Sequence, residues 1–599
     1  MKKIILGLCL SFVVGIAVQA QVNNGGLPLS ITNTAAMGSN EFFTKTVYQA
    51  PDISVLLLED AKATRSNPKP YRVGKLIPVD ISFPQSGQLI TLPNGTRVWR
   101  AQVQVAQAPA LMFYYSQFKL PSGVKLFLSN GNGKQILGAY TQDNNSDDGL
   151  FVTQEIQGDI ANIELNIDNG VDINAIKLHI DNAAYLYRSF EYLQKYASSE
   201  WNDAYKPTAD FAEGASSVCE INAICPQGQN FPEPRKATVR ILIPVGGGYV
   251  GFCTGTLINN TKGDCTPYVL TASHCEDNNS KVNSTFSQWM FYYNFEVATC
   301  SATANAPNNA TQTGASFVSR SNFNPNNPAL LGDFLLLKLN AKVPVNYGAW
   351  FAGWNRATSM PSNSTYINFH HPSGDMKKLA VGNNVNPNEV FNQFSTLGTH
   401  WGILFTEGGN EEGSSGSGLF DVNGRLIGDL SGGSSDQGCP RDTNYLGNQA
   451  LFGKDAVYSK LSRNWEYPEG NGAENAQLKT WLDPTNTGSL TTNHLQNAAT
   501  CNAPTTGIFN SDIEFNDAVS IYPNPVVGSS FQLKIHLGKI SDIEVNLYDV
   551  NGAKKANYNL PQIMSGQYTL DVSTLANGVY WVSVSNGENV TAKKVVIRK

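Results

Sequence analysis

Apolar residues along this chain come in short runs, many of them alternating with polar ones, and Gly, Asn, Ser and Thr separate the runs. A period of two, punctuated by turn formers, predicts strands rather than long amphipathic helices. Thr96 to Val105 and Val124 to Leu128 alternate in this way, inside a cysteine-free stretch from about Val22 to Tyr205 that reads as a β-sandwich. Tyr268 to Thr271 and Phe334 to Leu337 are instead continuously apolar, as a strand entering a core would be. Asn475 to Leu482 predicts a short helix running into a turn at Asp483 and Pro484. From Val519 to Lys599 short alternating strands with Gly-containing turns return, which predicts a small antiparallel sandwich. The fold class expected is mostly β.

Length and charge narrow the picture. At 599 residues the chain needs more than one core, roughly three to four folded units at about 150 residues each. A formal net charge of -6 with 15% charged residues leaves no basic footprint for nucleic acid or an anionic membrane. Lys2 and Lys3, the apolar stretch Ile4 to Val18 and the small residues before Gln21 read as an export signal cut after Ala20. That stretch is shorter than the ~20 residues of a membrane span, and no other segment spans a bilayer as a helix. Cys9 lies inside the signal, and the remaining eight of the nine cysteines fall between Cys219 and Cys501. An even number in an exported chain points to disulfides rather than metal ligands. Asp143 to Gly149 superficially resembles a calcium loop, but Asp148 stands where the sharp-turn Gly belongs and no Glu closes it, so it reads as a solvated turn.

Three segments carry candidate chemistry. Ser415 lies in Glu412-Gly413-Ser414-Ser415-Gly416-Ser417, where small residues let the backbone turn sharply and expose a hydroxyl. The same turn can aim the N–H groups of Gly413 and Ser415 at one point, as an oxyanion hole requires; such a run is also compatible with a plain flexible loop. His274 ends the Tyr268 to Thr271 strand and directly precedes Cys275, and a neutral imidazole there can accept a serine proton and return it to a leaving amine. Asp333 opens the Phe334 to Leu337 strand; a carboxylate so placed needs hydrogen bonds, for which an imidazole N–H is suited, though a turn or capping aspartate is the other reading. His179, His400, His494 and His536 lack such a setting and read as structural or surface residues. The order His, Asp, Ser is that of chymotrypsin-type enzymes, and Ser417 breaks the Gly-x-Ser-x-Gly elbow of α/β-hydrolases.

Ordered sequence runs add a resemblance. Cys219 to Pro226 (Cys-x5-Cys-Pro), Cys253 to Thr261, Thr271 to Cys275, Ala352 to Trp354, His370 to Pro372, Gly413 to Ser417 and Trp481 to Pro484 are similar to the lysyl endopeptidase family of bacterial chymotrypsin-fold proteases, from Cys219 to about Asn486. The resemblance implies two β-barrels with the site between them, nucleophile Ser415, base His274 and orienting acid Asp333. It further implies disulfides Cys219 to Cys439, Cys225 to Cys300 and Cys253 to Cys275; Cys265 and Cys501 are left over and are expected to pair. Ser431-Gly432-Gly433 resembles the family's substrate-pairing segment. The last eighty or so residues resemble the sorting domain of type IX secretion cargo, through Tyr522-Pro523-Asn524-Pro525, Leu547 to Gly552, Asp571-Val572-Ser573, Gly578-Val579-Tyr580 and the basic Lys593, Lys594 and Lys599.

The expected organisation is signal 1–20, β-rich propeptide 21–213, chymotrypsin-fold protease 214–500, linker 501–518 and sorting domain 519–599. The expected function is a secreted serine endopeptidase exported through periplasm and outer membrane and then released or surface-bound. It acts as a monomer on protein or peptide substrates, with no metal or organic cofactor. A protease-like adhesin that lost turnover and a serine esterase on the same scaffold are the rivals. Ser414 precedes the nucleophile where zymogens activated by a new N-terminal ammonium carry Asp, so the propeptide is expected to cover the cleft or to assist folding. One departure from the family bears on specificity. Lysyl endopeptidases hold the substrate ammonium with an Asp just before an aromatic-Gly-basic run; here that run is Phe452-Gly453-Lys454 and the position is Ala450, while the family's His-Gly-Gly begins with Ser431. Enclosing an ammonium without a carboxylate strands a charge at a cost of several kcal/mol, so strict lysine specificity is expected to be lost unless Asp455 reaches the pocket. Between Lys206, which precedes Pro207, and Cys219 there is no Lys or Arg for self-cleavage.

Overall fold

Alternation along the N-terminal strands is what builds their sandwich: in Arg97–Val105 the even-spaced side chains from Trp99 to Val105 are buried while Arg100, Gln102 and Gln104 face outward. The computed structural model of the chain describes residues 25–33, 45–61, 70–188, 216–276, 286–301, 310–321, 331–390, 397–433, 453–497, 501, 519–550, 553–586 and 590–599. The expected export signal, the processing region near Gly214, Cys439, Ala450 and residues 502–518 lie outside them, as does the His536 side chain. Two units separate, Met1–Cys501 and Asn502–Lys599.

In the first unit, one sheet runs through Lys45–Tyr48, Arg97–Val105, Ile160–Ile167, Val124–Asn130 and Ile136–Tyr140. It packs on Tyr71–Ser82, Lys177–Tyr185 and Ala110–Lys119 over a core containing Trp99, Phe113, Tyr115, Leu126, Ile163 and Ile180. Asp143 to Gly149 forms the expected turn, with Asp148 Oδ1 accepting from the Leu150 N–H at 3.0 Å.

The second of those sheets does not stop at the sandwich. Tyr71–Ser82 pairs antiparallel with Tyr249–Ile258, so strands of the N-terminal region and of the following region share one 12-stranded sheet. Beyond that junction come Thr238–Val245, Tyr249–Ile258, Tyr268–Ala272, Phe334–Leu339 and Ala315–Arg320, with Met290–Tyr293 on the other side, curling into a first barrel. Its apolar runs are buried on both faces: Leu335, Leu336 and Leu337 are all inaccessible. A second, eight-stranded sheet orders Lys378–Gly382, Tyr366–His370, Gly418–Phe420, Leu426–Gly432, Asp455–Lys460 and His400–Leu404. A bridge from Val381 to Glu407 closes it into the second barrel. The first-barrel core extends to Ile367, Phe369 and Phe420 of the second, so the two pack as one body.

The expected Asn475–Leu482 helix is broken. Glu474–Ala476 is a 3₁₀ turn and only Lys479–Leu482 is α-helical, because Gln477 is extended (φ -150°, ψ 154°). The chain then returns to the first barrel, where Thr261 donates to Asp483 at 2.8 Å and Cys265 is bonded to Cys501. Cys225–Cys300 and Cys253–Cys275 are bonded too; Cys219 is also in a disulfide. In the second unit Ser530–Asp549 pairs with Val519–Tyr522, Lys554–Asp571 and Gly578–Ser585, and Val590–Ile597 completes the sheet over Val545, Leu547, Val582 and Val595.

The Cys265–Cys501 bond closes a loop with a sequence separation of 236, long enough to restrict the unfolded chain strongly. Replacing both cysteines by Ser is expected to cost about 2–4 kcal/mol of stability, read as a lower denaturant midpoint. Non-reducing peptide mapping that recovers either thiol free would contradict the bond.

Candidate active site

Local folding places His274 before any partner is considered. The strand Tyr268–Ala272 ends in the 3₁₀ turn Ser273–Cys275, and the Cys253–Cys275 bond ties that turn to the adjacent strand. Arg320 holds it from the other side, donating to Ser273 Oγ at 3.0 Å and pairing with Glu276. His274 is 2% exposed and Asp333 is fully buried. The Asp333 carboxylate accepts twice from one residue: Oδ1 from the His274 N–H at 3.0 Å and Oδ2 from the ring Nδ1 at 2.6 Å. Asp333 in turn receives the Ser273 N–H at its carbonyl (2.6 Å) and donates its own N–H to Ser459 Oγ at 3.0 Å. The ring is therefore fixed with Nδ1 toward the acid, an orientation in which Nε2 can act as a base.

Ser415 comes from the second barrel on the loop Glu411–Gly418. Thr254, next to Cys253, takes hold of that loop: its N–H donates to the Ser415 carbonyl at 2.8 Å and its hydroxyl to the Gly413 carbonyl at 2.9 Å. Gly413 and Gly416 need to be glycine. Both have left-handed φ (93° and 80°), and a Cβ on Gly416 would lie 2.1 Å from Thr271 Oγ1 and 2.6 Å from the Ala272 N. The residue after Ser415 thus packs on the end of the strand that carries His274. Ser415 is 7% exposed. Of the other expected site residues, Ser431 is buried, Gly432 is half-buried and pairs with Val457, and Gly433 is exposed. Ala450 lies outside the described residues, and Asp455 begins the strand that pairs with Ser431's, its carbonyl held by Asn410 at 3.0 Å.

Sequence reading missed a set of buried polar groups under both ends of this arrangement. Below Asp333, His400, Ser459 and Asp429 lie side by side on three neighbouring strands. Burial holds the His400 imidazole down to about 4 and pushes the Asp429 carboxyl well up, with the Asp333 charge adding to the latter. Burial thus favours the neutral form of both neighbours of Asp333. Below Ser415, the Ser414 hydroxyl sits 2.7 Å from His370 Nδ1, and His370 Nε2 faces Glu220 at 3.5 Å. Ser217 and Ser373 both donate to Glu411 at 2.8 Å. Burial pushes Glu220 up to about 8 and, with help from the Glu220 charge, Glu411 up to about 7, while it holds His370 down to about 3. The His370–Glu220 contact is therefore between neutral groups and not an ion pair. Nothing in a lone Glu or a His-His pair advertises this. His179, by contrast, is a partly exposed partner of Asp80 and Ser116, and His494 supports the Gly353 N–H, both structural roles.

Comparison with known proteins now bears on the same segments. Residues 213–447 match the family "Lysyl endopeptidase, C-terminal domain", and residues 520–598 match "Secretion system C-terminal sorting domain". The chain is lysyl endopeptidase-like, with a type IX sorting domain. The lysyl endopeptidase of Pseudomonas aeruginosa is 28% identical over 389 residues, covering 62% of this chain and 76% of that protein. Among solved structures, the protease Anisep from Arthrobacter nicotinovorans is 18% identical over 38% of this chain and 91% of its own, with a TM-score of 0.26. A variant of the HtrA-type protease AlgW with a tripeptide is 13% identical over 41% of this chain, with a TM-score of 0.27; this chain spans 62% of that one. Neither adds to the argument from geometry. The sorting domain marks this lysyl endopeptidase-like chain for export, as a secreted or surface-attached protein.

The Glu220 cluster gives stability a pH dependence. Folded Glu220 and Glu411 stay protonated up to about 8 and about 7, whereas both ionise near 4.5 when unfolded. Unfolding therefore releases protons between these limits, and stability falls as pH rises through that window. In a Ser415→Ala background, which prevents self-digestion, the melting temperature is expected to drop between about pH 5 and about pH 8. Adding Glu220→Gln should make the drop shallower, and parallel curves would remove Glu220 as its source.

Proposed function

We propose that this chain is a secreted serine endopeptidase whose triad is His274, Asp333 and Ser415. The observation that carries the reading is the doubly bonded His274–Asp333 pair, buried at the end of the strand on which the Ser415–Gly416 turn packs. A buried carboxylate so engaged stabilises an imidazolium and fixes the tautomer in which Nε2 is the base. His274 Nε2 takes the proton of Ser415 Oγ as that oxygen bonds to the peptide carbonyl carbon. The Gly413 and Ser415 N–H groups accommodate the carbonyl oxygen as it becomes an oxyanion. The proton passes to the leaving amine as the C–N bond breaks; water, deprotonated by His274, then attacks the acyl-enzyme and Ser415 regains its proton. Residues 214–500 are the protease in this reading, 21–213 a propeptide, 501–518 a linker and 519–599 the sorting domain.

The finer claim concerns the residue before the scissile bond, and the proposal is that it is not restricted to lysine. Its support is the sequence position of Ala450 and the replacement of the family's His by Ser431. Gly432 and Gly433, emerging from the buried strand Leu426–Gly432, would pair with the substrate backbone as an added strand.

Ser415→Ala is expected to abolish peptide hydrolysis, by at least about 10³-fold, with the melting temperature little changed; hydrolysis retained by the pure variant would sink the triad. Labelling of Ser415 by a fluorophosphonate separates an enzyme from a protease-like adhesin, and turnover of esters alone would mark an esterase. Profiling on a proteome-derived peptide library is expected to show cleavage after residues other than Lys. Cleavage confined to bonds after Lys would mean that Asp455, and not position 450, supplies the pocket carboxylate.

A further inference from the structure

Thr254 holds Gly413 and Ser415 by their carbonyls. The residue between them, Ser414, is fully buried and is bonded elsewhere. Its hydroxyl accepts the Glu411 N–H at 3.2 Å and lies 2.7 Å from His370 Nδ1. His370 ends the strand Tyr366–His370, and its other ring nitrogen stands 3.5 Å from Glu220 Oε2. The side chains of His370 and Glu220 are both closed to solvent. Ser414, His370 and Glu220 thus link the nucleophile loop to the segment around Cys219. The main chain explains the meeting: Ile221 and Asn222 pair with Leu379 and Lys378, which pair in turn with Phe369 and His370. Glu220 therefore sits one residue before the edge strand of the sheet that carries His370, and Cys219, in a disulfide, secures its other side.

What this link fixes follows from peptide geometry. A peptide unit is planar, so an N–H points away from the carbonyl of the preceding residue. The Gly413 N–H is therefore aimed by the Glu412 carbonyl, which accepts the Ser373 N–H at 2.6 Å. The Ser415 N–H is aimed by the Ser414 carbonyl, which accepts the Ser417 N–H at 3.0 Å. Glu411 is gripped by its carboxyl group, which accepts from the Ser217 N–H and the Ser373 hydroxyl at 2.8 Å. Every residue from Glu411 to Ser415 thus has a hold outside the loop, and that of Ser414 is His370. Donors of an oxyanion hole are effective when they are fixed before the charge develops.

We propose that His370 and Glu220 are positioning residues for the oxyanion hole: through the Ser414 hydroxyl they fix the peptide unit that carries the Ser415 N–H. Glu220 is internal to the chain, so this support needs no free amino terminus. The role rests on the peptidase reading.

The test expresses the full chain and compares the secreted wild type with His370→Ala, Glu220→Leu and Glu220→Gln on a peptide that the wild type cleaves. His370→Ala and Glu220→Leu are expected to lower kcat by about tenfold to a hundredfold, with KM within about twofold of the wild type. Affinity for a peptide aldehyde, whose adduct with Ser415 bears the oxyanion, should fall by a similar factor. Glu220→Gln keeps a neutral hydrogen-bonding group of the same shape and should restore most of the kcat lost in Glu220→Leu. A change confined to the melting temperature or to KM overturns the positioning role, and so does a Glu220→Gln enzyme as slow as Glu220→Leu. Should His370→Ala and Glu220→Leu fail to fold, Ser414→Ala, which removes only the hydroxyl, decides on the same split between kcat and KM. A wild type that hydrolyses no peptide overturns the peptidase reading and this role with it, whereas unchanged kcat in the variants of an active wild type overturns this role alone.

Discussion

Thr254 joins the two barrels where the Ser415 loop meets the strand that ends just before His274. Its N–H and hydroxyl donate to the Ser415 and Gly413 carbonyls, its hydroxyl accepts the His371 N–H at 3.1 Å, and its own carbonyl accepts the Thr271 hydroxyl at 2.8 Å. One fully buried residue thereby commits its main-chain and side-chain groups to three segments that are distant in sequence. The Ser415 loop is irregular and rich in small residues, so it has little packing of its own to define it. Its conformation is borrowed from a regular strand of the neighbouring barrel, and so is its distance from the strand that ends at His274. Gly416, pressed on Thr271 and Ala272, keeps that approach close.

The electrostatics follow from the same close packing. Around Asp333 the surroundings are polar but neutral, since burial favours the uncharged forms of His400 and Asp429. The Asp333 carboxylate in this setting is held by the two donors of His274. On the opposite flank, Ser414, His370, Glu220 and Glu411 form a neutral network beneath the loop. Zymogens that rely on a charged pair in this region have Asp next to the nucleophile; here Ser414 makes a neutral contact, and the support comes from buried acids carried on other elements.

How much of this was legible depended on whether the signal was local. A histidine at a strand end beside a cysteine, an aspartate opening an apolar strand and a Gly/Ser turn are each local patterns, and the strands Tyr268–Ala272 and Phe334–Leu339 set the first two side by side. The leftover Cys265 and Cys501 were bonded in the structure because the chain after Leu482 returns to the first barrel. Edge pairing of Tyr71–Ser82 with Tyr249–Ile258 had no such signature, because an edge strand alternates in the same way whatever it pairs with. The domains expected on either side of residue 213 therefore share a sheet that no local pattern announced. Gln477 broke the expected Asn475–Leu482 helix for a related reason: tertiary contacts, including the Ser319 hydroxyl on its carbonyl at 2.8 Å, outweigh a weak local preference.

The bond between Cys265 and Cys501 has a mechanical meaning for a chain that is exported by its C-terminal end. Residues 265 to 501 form a covalently closed ring, and His274, Asp333 and Ser415 all lie within it. Tension applied through the sorting domain enters at Cys501 and crosses the disulfide directly to Cys265, at the turn before the Tyr268–Ala272 strand. The long backbone path from Cys300 round to Cys501, which includes most of the second barrel, is bypassed by that bond. Pulling force reaches the first barrel through a covalent shortcut, and the Cys253–Cys275 bond offers the short turn that holds His274 a second path beside it.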